Sequence, residues 1–147
     1  MAVFTDNRKA FFNYEMLDKF EAGIELAGYE VKSIRAGQCN LKGAYCIVRG
    51  GEVYLIGMHV HPYQIKNMPT TYEPDQNRRL LLNKKEIAML LSAEKSKGLT
   101  LVPLSLYSKG RRVKVEIAIA KGKKLHDKRD SIKKRDTNRE MHRTLKE

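Results

Sequence analysis

The sequence predicts a mainly β protein with short helices, in which a small barrel is followed by a basic C-terminal tail. Three observations favour this class. Valine and isoleucine alternate with other residues from Val113 to Ile119, which is typical of a strand with one buried face. Four further segments have strand-like patterns, and the segment after residue 120 is strongly cationic. The 147 residues suffice for one core of ordinary size and an appendage.

The first strand is predicted to extend from Phe12 to Leu26. Apolar side chains occupy its even positions, interrupted only by Asp18, which is typical of a long bent strand. A helix over 14–20 is the alternative. Residues 1–9 precede the strand as a polar lead-in. Gly23 is predicted to mark a bulge or a bend, as closed barrels require at their corners.

A short helix is predicted after this strand. Gly28 ends the strand, Val31 and Ile34 have helical i, i+3 spacing, and Gly37 supplies a C-terminal stop. The outward-facing side chains of this helix are predicted to include those of Glu30, Lys32, Ser33 and Arg35.

Two hairpins supply the other four strands. In the first, the runs 44–48 and 53–60 flank Gly50–Gly51, and two adjacent glycines readily adopt the positive φ of a tight hairpin turn. In the second, the runs 99–107 and 112–120 are joined by a short polar segment.

A loop and a second helix lie between the hairpins. Residues 62–77 contain three prolines and no periodicity, which indicates a loop whose role the sequence does not reveal. Asn83 can cap the helix that follows, Glu86 stands at the reciprocal position, and Gly98 ends the helix. Five strands with a helix between the third and the fourth is the order of an OB-fold, a small Greek-key barrel that binds oligonucleotides.

The tail is predicted to be disordered when free. From Lys121 to Glu147 there are 11 Lys/Arg and 5 Asp/Glu, and the large apolar side chains are Leu125, Ile132, Met141 and Leu145. So few apolar groups cannot offset an ordering entropy of about 1–2 kcal/mol per residue for the backbone alone. The chain therefore divides into an OB-fold-like barrel over 1–120 and a basic tail over 121–147.

The charge of the chain indicates the kind of partner. A formal net charge of +12 favours a polyanion. Cations on strands, a cationic tail and tyrosines available for base stacking together favour RNA. The core is the alternative place for each of these tyrosines, which are Tyr14, Tyr29, Tyr45 and Tyr54.

Other classes of protein find little support. Cys39 and Cys46 are too few for a disulfide framework or a four-ligand zinc site, which fits a reducing cytoplasm. His59 and His61 could begin a metal site, but no third group of ligands accompanies them. Ser33 has cationic neighbours, yet nothing specifies a base or an oxyanion hole. No apolar run suits a signal peptide or a membrane span. We therefore expect a cytoplasmic, noncatalytic protein with no cofactor, metal site or membrane partner.

Particular segments occur in the order that is typical of one family. They are Asn7–Ala10, Phe20–Ile24, Glu30–Gly37, Asn40–Leu41, Arg79–Asn83, Lys97–Leu101 and Gly122–Arg129. The chain thus resembles SmpB, the SsrA-binding protein family, over nearly its whole length. The resemblance implies a monomeric RNA-binding protein with an OB-type barrel. Such a protein would hold the tRNA-like part of transfer-messenger RNA, favour its aminoacylation, and deliver it to stalled ribosomes for trans-translation.

The resemblance also implies the site residues. Matching segments place Glu21, Leu81 and Asn83 on the RNA-binding surface, and their implied neighbours are Asn7, Arg8, Lys32, Ser33, Arg35 and Asn40. The tail is implied to become helical in the vacant mRNA path, near the small-subunit rRNA of the decoding region. The tail residues implied in this binding are Lys121, Gly122, Lys123, Lys124, His126, Asp127, Lys128, Arg129, Ile132, Lys134 and Arg135.

Several alternatives stay open from the sequence. Glu21 is poorly suited to a phosphate, so it either accepts hydrogen bonds from base amino groups or forms a structural ion pair. Asn83 is suited both to capping a helix and to contacting RNA. Met141 and Leu145 are the candidates to replace the family's usual tail end. For the whole chain, the alternative function is a generic OB-fold module that binds single-stranded nucleic acid.

Overall fold

The computed structural model describes residues 2–63 and 71–123 of the chain. The predicted class, mainly β with short helices, is confirmed. The middle of the predicted loop and the tail from residue 124 onward lie outside the described residues. Within the described ranges the elements are, in order, β1 (Val3–Asp6), α1 (Arg8–Asn13), β2 (Tyr14–Ile24), α2 (Gly28–Arg35), β3 (Cys39–Asn40), β4 (Tyr45–Arg49), β5 (Glu52–Ile56), β6 (His59–Val60), β7 (Arg78–Leu81), α3 (Lys84–Lys95), β8 (Leu99–Lys109) and β9 (Arg112–Gly122).

The strand pairings close into a ring. Seven strands form one sheet in the order β1-β8-β4-β5-β7-β2-β9, and β9 also pairs with β8. Every pairing in this sheet is antiparallel. Six strands therefore complete a circle of hydrogen bonds, with β1 attached to β8 as an extra strand. The short strands β3 and β6 form a separate pair.

The main core fills this ring. The alternating residues of β9 from Val113 to Ile119 all belong to it, as their period predicts. α2 adds Ile34 and α3 adds Leu90, both fully buried. On the other face of β9, Ala118 and Ala120 pack in a smaller apolar group with Ala10 of α1. Both faces of β9 are thus covered near its C-terminal end.

The N-terminal segment differs from the prediction. The polar lead-in expected over 1–9 is wrong, because this segment contains β1 and the start of α1. The first long strand is shorter than expected, since Phe12 lies in α1 and the strand begins at Tyr14. The backbone N–H of Asn7 donates to the carbonyl oxygen of Leu104 at 2.8 Å and so places α1 against β8. Local periodicity cannot reveal a pairing between segments so distant in the chain.

Gly23 was predicted to mark a bulge or a bend, and the bulge is wrong. The irregularity in β2 lies between Met16 and Asp18. Gly23 instead permits a close approach, because a Cβ built on it would lie 3.2 Å from the Cβ of Leu81 on β7. The sequence did not predict β7, a four-residue strand that joins β5 to β2 and begins with two arginines.

α2 has the predicted position, with Gly37 at φ 76° just beyond its end, but its outward face was mispredicted. Lys32 and Arg35 are exposed, whereas Glu30 and Ser33 are buried. For Glu30 the reason is a distant partner, Arg78, whose Nε and Nη2 donate to Glu30 Oε2 at 2.8 and 2.6 Å. All five N–H groups of this guanidinium have acceptors, which are Glu30 and the carbonyl oxygens of Met58, Pro74 and Gln76.

Replacing Ser33 with alanine is expected to leave the free energy of unfolding unchanged or to raise it by about 1 kcal/mol. The Ser33 hydroxyl is buried and has no hydrogen-bond partner among the described residues, and an unsatisfied buried polar group costs about 1–3 kcal/mol. Urea unfolding measures the change. A clear loss of stability would show that the hydroxyl has a partner in solution.

Local signals correctly predicted the turn and the cap. Gly50 and Gly51 adopt φ 60° and 76° in the turn between β4 and β5. The Asn83 side chain accepts from the backbone N–H of Glu86 at 2.8 Å, and Glu86 accepts in return from the backbone N–H of Asn83 at 3.3 Å. This is the predicted capping box.

Strand ends differ slightly from those predicted. The strand expected over 53–60 is divided into β5 and β6 by Gly57 at φ 83°. β9 continues past Ala120 to Gly122, which pairs with Tyr14. The residues that end the alternation therefore still belong to the sheet.

The two cysteines have free thiols. Burial raises the pKa of Cys39 to about 11 and that of Cys46 to about 12. Neither thiol therefore forms a reactive thiolate near neutral pH. None of the helices in the described ranges has the length and apolar character needed to cross a bilayer.

Candidate nucleic-acid interface

Two surface regions bring predicted site residues together. The first, the Leu81 cleft, is a cavity of about 300 Å³ lined by Leu81 and Gly23. The second, the α1 face, comprises two cavities beside α1 of about 290 and 380 Å³, the smaller of which is lined by Tyr14. Tyr14 and Gly23 are separated by roughly 30 Å of extended strand in β2. The two regions thus lie towards opposite ends of β2.

The Leu81 cleft combines apolar lining with cations. Its larger apolar side chains are those of Ile24, Leu26, Val31, Leu81 and Val113. Its cations come from the β8–β9 hairpin and are Arg111, Arg112 and Lys114. These three make no ion pair within the described part of the chain. The cleft therefore presents positive charge beside exposed apolar surface, and the charge of Lys114 also acts on the nearby carboxyl of Glu21.

Glu21 lies two residues before Gly23 on β2 and has two donors. Its Oε2 accepts from the Tyr107 hydroxyl at 2.6 Å and its Oε1 from Lys109 Nζ at 3.0 Å. The hydrogen bond from Tyr107, followed by that from Lys109, holds the pKa of the Glu21 carboxyl below its usual value. Burial and the same contact raise the pKa of Tyr107. The ion pair considered from the sequence is thus present, while the Glu21 side chain stays 39% exposed.

Replacing Tyr107 with phenylalanine is expected to raise the pKa of Glu21, since it removes the main donor to the carboxylate. A depressed folded-state pKa contributes stability above the unfolded-state pKa, and this contribution is lost as the pH falls through the folded value. The variant should therefore lose less stability on acidification than the parent. Carboxyl NMR titration measures the pKa, with Tyr54→Phe as the control. An unchanged Glu21 pKa would contradict the hydrogen bond.

α2 brings two more cations to this region. Arg35 Nη2 donates to the carbonyl oxygen of Arg111 at 2.8 Å, and the Arg35 guanidinium lies 5.9 Å from the ring centroid of Phe4. Arg35 therefore joins α2 to the β8–β9 turn at the cleft. Lys32 is exposed and directly follows Val31, which lines the cleft.

Of the two polar atoms in the Asn83 side-chain amide, only the oxygen has a hydrogen-bond partner among the described residues. Its Oδ1 caps α3, and the described residues supply no partner for its Nδ2. The side chain is exposed and lies two residues after Leu81. The capping role and a donor role towards RNA are therefore compatible.

The α1 face gathers a different set of predicted residues. Arg8 and Asn40 line its larger cavity together with Lys9 and Lys42. Asn7 also lies here but is only 6% exposed, and its Nδ2 donates to the carbonyl oxygen of Pro103 at 2.9 Å. The Asn7 side chain therefore holds α1 in place instead of facing outward.

The four tyrosines considered for base stacking differ in position. Tyr14 and Tyr45 line the smaller cavity of the α1 face, and Tyr45 is 46% exposed. Tyr29 packs edge-on against Tyr72 at a centroid distance of 5.3 Å. Tyr54 is half-buried on β5. Tyr45 is thus the tyrosine of this set with the most surface for a base.

The tail begins beside the α1 face. Of its predicted contact residues, Lys121 and Gly122 lie in β9. The backbone N–H of Lys123 donates to the carbonyl oxygen of Asn13 at 2.9 Å, and its Nζ to that of Phe11 at 3.2 Å. The predicted residues that lie outside the described ranges are Lys124, His126, Asp127, Lys128, Arg129, Ile132, Lys134 and Arg135.

The histidine pair forms a surface hydrogen-bond chain. His59 Nδ1 lies 2.9 Å from Asp75 Oδ1, and His59 Nε2 lies 2.9 Å from His61 Nδ1. In the parts of the chain that the structure describes, no three side chains of metal-binding type form a group that could hold an ion.

Sequence reasoning missed the cations of the Leu81 cleft. The alternation on β9 already places Lys114 on the face opposite Val113 and Val115, so its position outside the main core was predictable. Arg111 and Arg112 lie at a turn, and only the ring closure shows that this turn meets α2 and β7.

A family model described as "SmpB protein" matches residues 4–147. The chain belongs to the SmpB family. The resemblance noted in the sequence is therefore confirmed.

Curated relatives and a solved structure agree with SmpB membership. The chain is 51% identical over 144 residues to the SsrA-binding proteins of Gloeothece citriformis and of a Nostoc species, covering 98% of this chain and 93% of each relative. It is also similar to a chain in a solved structure described as "tmRNA-SmpB: a journey to the center of the bacterial ribosome". The TM-score is 0.68 and the identity 43%, with 82% of this chain and 84% of that chain covered.

Proposed function

We propose that this SmpB-family chain binds the tRNA-like part of transfer-messenger RNA, promotes its aminoacylation and delivers it to stalled ribosomes for trans-translation. The observation that carries the proposal is the 51% identity to SsrA-binding proteins over nearly the full length of both chains. The structural similarity to a chain from a tmRNA-SmpB structure supports the same partners. The protein acts by binding, in the cytoplasm where ribosomes work, and catalyses no reaction itself.

The Leu81 cleft and its surroundings suit the transfer-messenger RNA. The cations of the cleft, together with Lys32 and Arg35, supply charge for phosphates. Glu21 repels phosphates, so its role is to accept from a base amino group or to hold Lys109 in place. Asn83 offers its Nδ2 as a donor. Ser33 and Asn7 are buried, so they affect RNA binding only through the positions of their helices. Ser33 belongs to α2, and Asn7 directly precedes α1.

The α1 face, whose residues Arg8 and Asn40 the resemblance assigns to transfer-messenger RNA, is also suited to the ribosome. The tail, proposed as a separate segment from the barrel, leaves the described structure at Lys123 beside this face. Arg8, Lys9 and Lys42 make the face cationic, as contact with ribosomal RNA requires. Because the Leu81 cleft lies towards the other end of β2, one protein can hold the transfer-messenger RNA and contact the ribosome at the same time.

Competition binding tests the proposal. Labelled transfer-messenger RNA bound to the full-length protein is challenged, at one salt concentration, with unlabelled transfer-messenger RNA, an unrelated structured RNA or single-stranded RNA. We expect only the first to compete efficiently. Equal competition by all three would indicate a generic nucleic-acid-binding module instead.

Replacing Lys32 with alanine is expected to make the salt dependence of binding shallower. Removing one phosphate contact lowers the slope of log K against log salt by about 0.7–0.9, because fewer counterions are released. Lys95→Ala, an exposed lysine in the last turn of α3, is the matched control. Equal slopes for the two variants and the parent would remove Lys32 from the RNA surface.

A further inference from the structure

We propose that the outer face of the β4–β5 hairpin is a docking surface for a protein of the stalled ribosome. This β4–β5 outer face consists of Tyr45, Ile47, Tyr54 and Ile56. The inference rests on the proposed function, which brings the chain to the ribosome. It adds a contact with protein to the contacts with RNA.

The register of the hairpin places the four side chains on one side of the sheet. Tyr45 lies opposite Ile56, and Ile47 lies opposite Tyr54. Directly opposite residues of an antiparallel pair point to the same side of the sheet, as do alternate residues along each strand. The residues that alternate with these four are buried in the main core. The β4–β5 outer face is therefore a contiguous apolar surface that points away from the core.

This face has little cover within the described ranges. None of its four side chains belongs to either apolar cluster there. Tyr45 is 46% exposed, and the other three side chains are partly exposed. Neither tyrosine hydroxyl has a hydrogen-bond partner among the described residues. Large apolar side chains gathered on a surface and rimmed by polar groups are typical of a contact site.

The charged residues at the rim of this face neutralise one another. Arg49 at the end of β4 pairs with Glu94 of α3. Arg79 on the neighbouring strand β7 pairs with Glu25 and Glu52. RNA gains more from cations that make no ion pair, such as those of the α1 face. An apolar centre with aromatic side chains and a neutral polar rim suits a protein partner that exposes apolar side chains of its own.

Tyr45 connects this face to the α1 face. It lines the smaller cavity of the α1 face together with Lys9 and Tyr14. Because the α1 face is proposed to contact ribosomal RNA, a protein bound to the β4–β5 outer face would lie beside that RNA. A second copy of the chain is disfavoured as the occupant, since two chains of net charge +12 repel each other. The partner is therefore a protein of the ribosome, and the small size of the face suits a transient contact.

A double variant tests the proposal by affinity. Ile47→Thr with Ile56→Thr makes the face polar and keeps the β-branched shape that suits a strand. Val3→Thr on β1 is the matched control, because Val3 is 57% exposed and lies outside this face. Each full-length protein is titrated against purified ribosomes stalled on a message without a stop codon. We expect the double variant to bind about tenfold more weakly than the parent and Val3→Thr. Equal affinity of the three proteins would overturn the proposal.

The affinity for transfer-messenger RNA shows whether the variants are folded. It should be the same for all three proteins, because the β4–β5 outer face is not part of the proposed surface for that RNA. If the double variant loses this affinity as well, crosslinking decides between the outcomes.

Crosslinking identifies the occupant. Tyr54→benzoylphenylalanine places a photoreactive probe on the face, and Val3→benzoylphenylalanine places the same probe outside it. Each protein is irradiated on the same stalled ribosomes. We expect a crosslink to one ribosomal protein from the first probe but not from the second. A crosslink from the first probe to RNA only, to a second copy of the chain or to nothing would overturn the proposal.

The parent protein alone tests the underlying function. A parent that does not bind stalled ribosomes would refute the proposed function, and this contact with it. Normal binding by the parent together with equal affinity of the folded double variant would refute this contact only.

Discussion

Replacing Arg78 with methionine is expected to destabilise the protein by about 3–5 kcal/mol, because it leaves the carboxylate of Glu30 buried without its charged partner. Both side chains are almost fully buried, and the closest pair of atoms is 2.6 Å apart. The carbonyl oxygens of Met58, Pro74 and Gln76 would also lose a donor. Urea unfolding at neutral pH measures the loss.

The neighbouring arginine is the matched control. Arg79 pairs with Glu25 at 2.8 Å and Glu52 at 3.6 Å, but its side chain is 38% exposed. Exposed ion pairs contribute about 0–1 kcal/mol, so Arg79→Met should cost far less than Arg78→Met. Adding Glu30→Gln to Arg78→Met should recover part of the stability, since it removes the buried charge. Similar losses for the two arginine variants would contradict the buried pair.

Replacing Lys134 with proline is expected to abolish the tagging of stalled chains while leaving the affinity for transfer-messenger RNA unchanged. Asp130 precedes Lys133 and Lys134 at helical spacing, and Met141 precedes Leu145 by four, which predicts a helix over about 127–144 when the tail is bound to the ribosome. These pairs give only about 0.2–0.5 kcal/mol each, too little for a helix in water. Proline within the helix costs about 3 kcal/mol, and little in a coil.

Two assays on a second variant separate the effect of helix formation in the tail from the effect of its charge. Lys134→Ala removes the same charge but keeps high helix propensity, so it should tag at close to the parental rate. Tagging is measured in a reconstituted translation system with a message that lacks a stop codon, and RNA affinity by direct binding. Normal tagging by the proline variant would show that the tail acts only as a counterion.

The fold was predictable where the signal is local. The turn at Gly50–Gly51, the cap at Asn83 and the alternation from Val113 to Ile119 each depend on residues close in the chain. β7 and the burial of Glu30 depend on partners far away in the chain, so no period reveals them. The interface likewise contains residues that could be predicted from the sequence and residues that only the structure reveals.

At the interface, the resemblance supplied Leu81 and Asn83. The structure places Leu81 in the lining of one cleft, and Asn83 follows it by two residues in the chain. Burial shows that Asn7 and Ser33 cannot present their side chains, which the sequence alone did not indicate. Arg111 and Arg112 became candidates only when the ring closure placed their turn against α2. The number of charged residues can be read from a sequence, but only the structure shows which residues surround each of them.

The closure of the ring by β2 and β9 also affects the biosynthesis of the protein. These two strands are paired from Tyr14–Gly122 to Gly23–Lys114, so their partners are separated by roughly 100 residues. At about 5–20 residues per second, roughly 5–20 s pass between the synthesis of β2 and that of β9. During this interval β2 lacks its longest partner, and pairing between such distant segments is slow in any case. The local hairpin of β4 and β5 can pair before β9 is made, whereas the ring of strands cannot close until β9 is present.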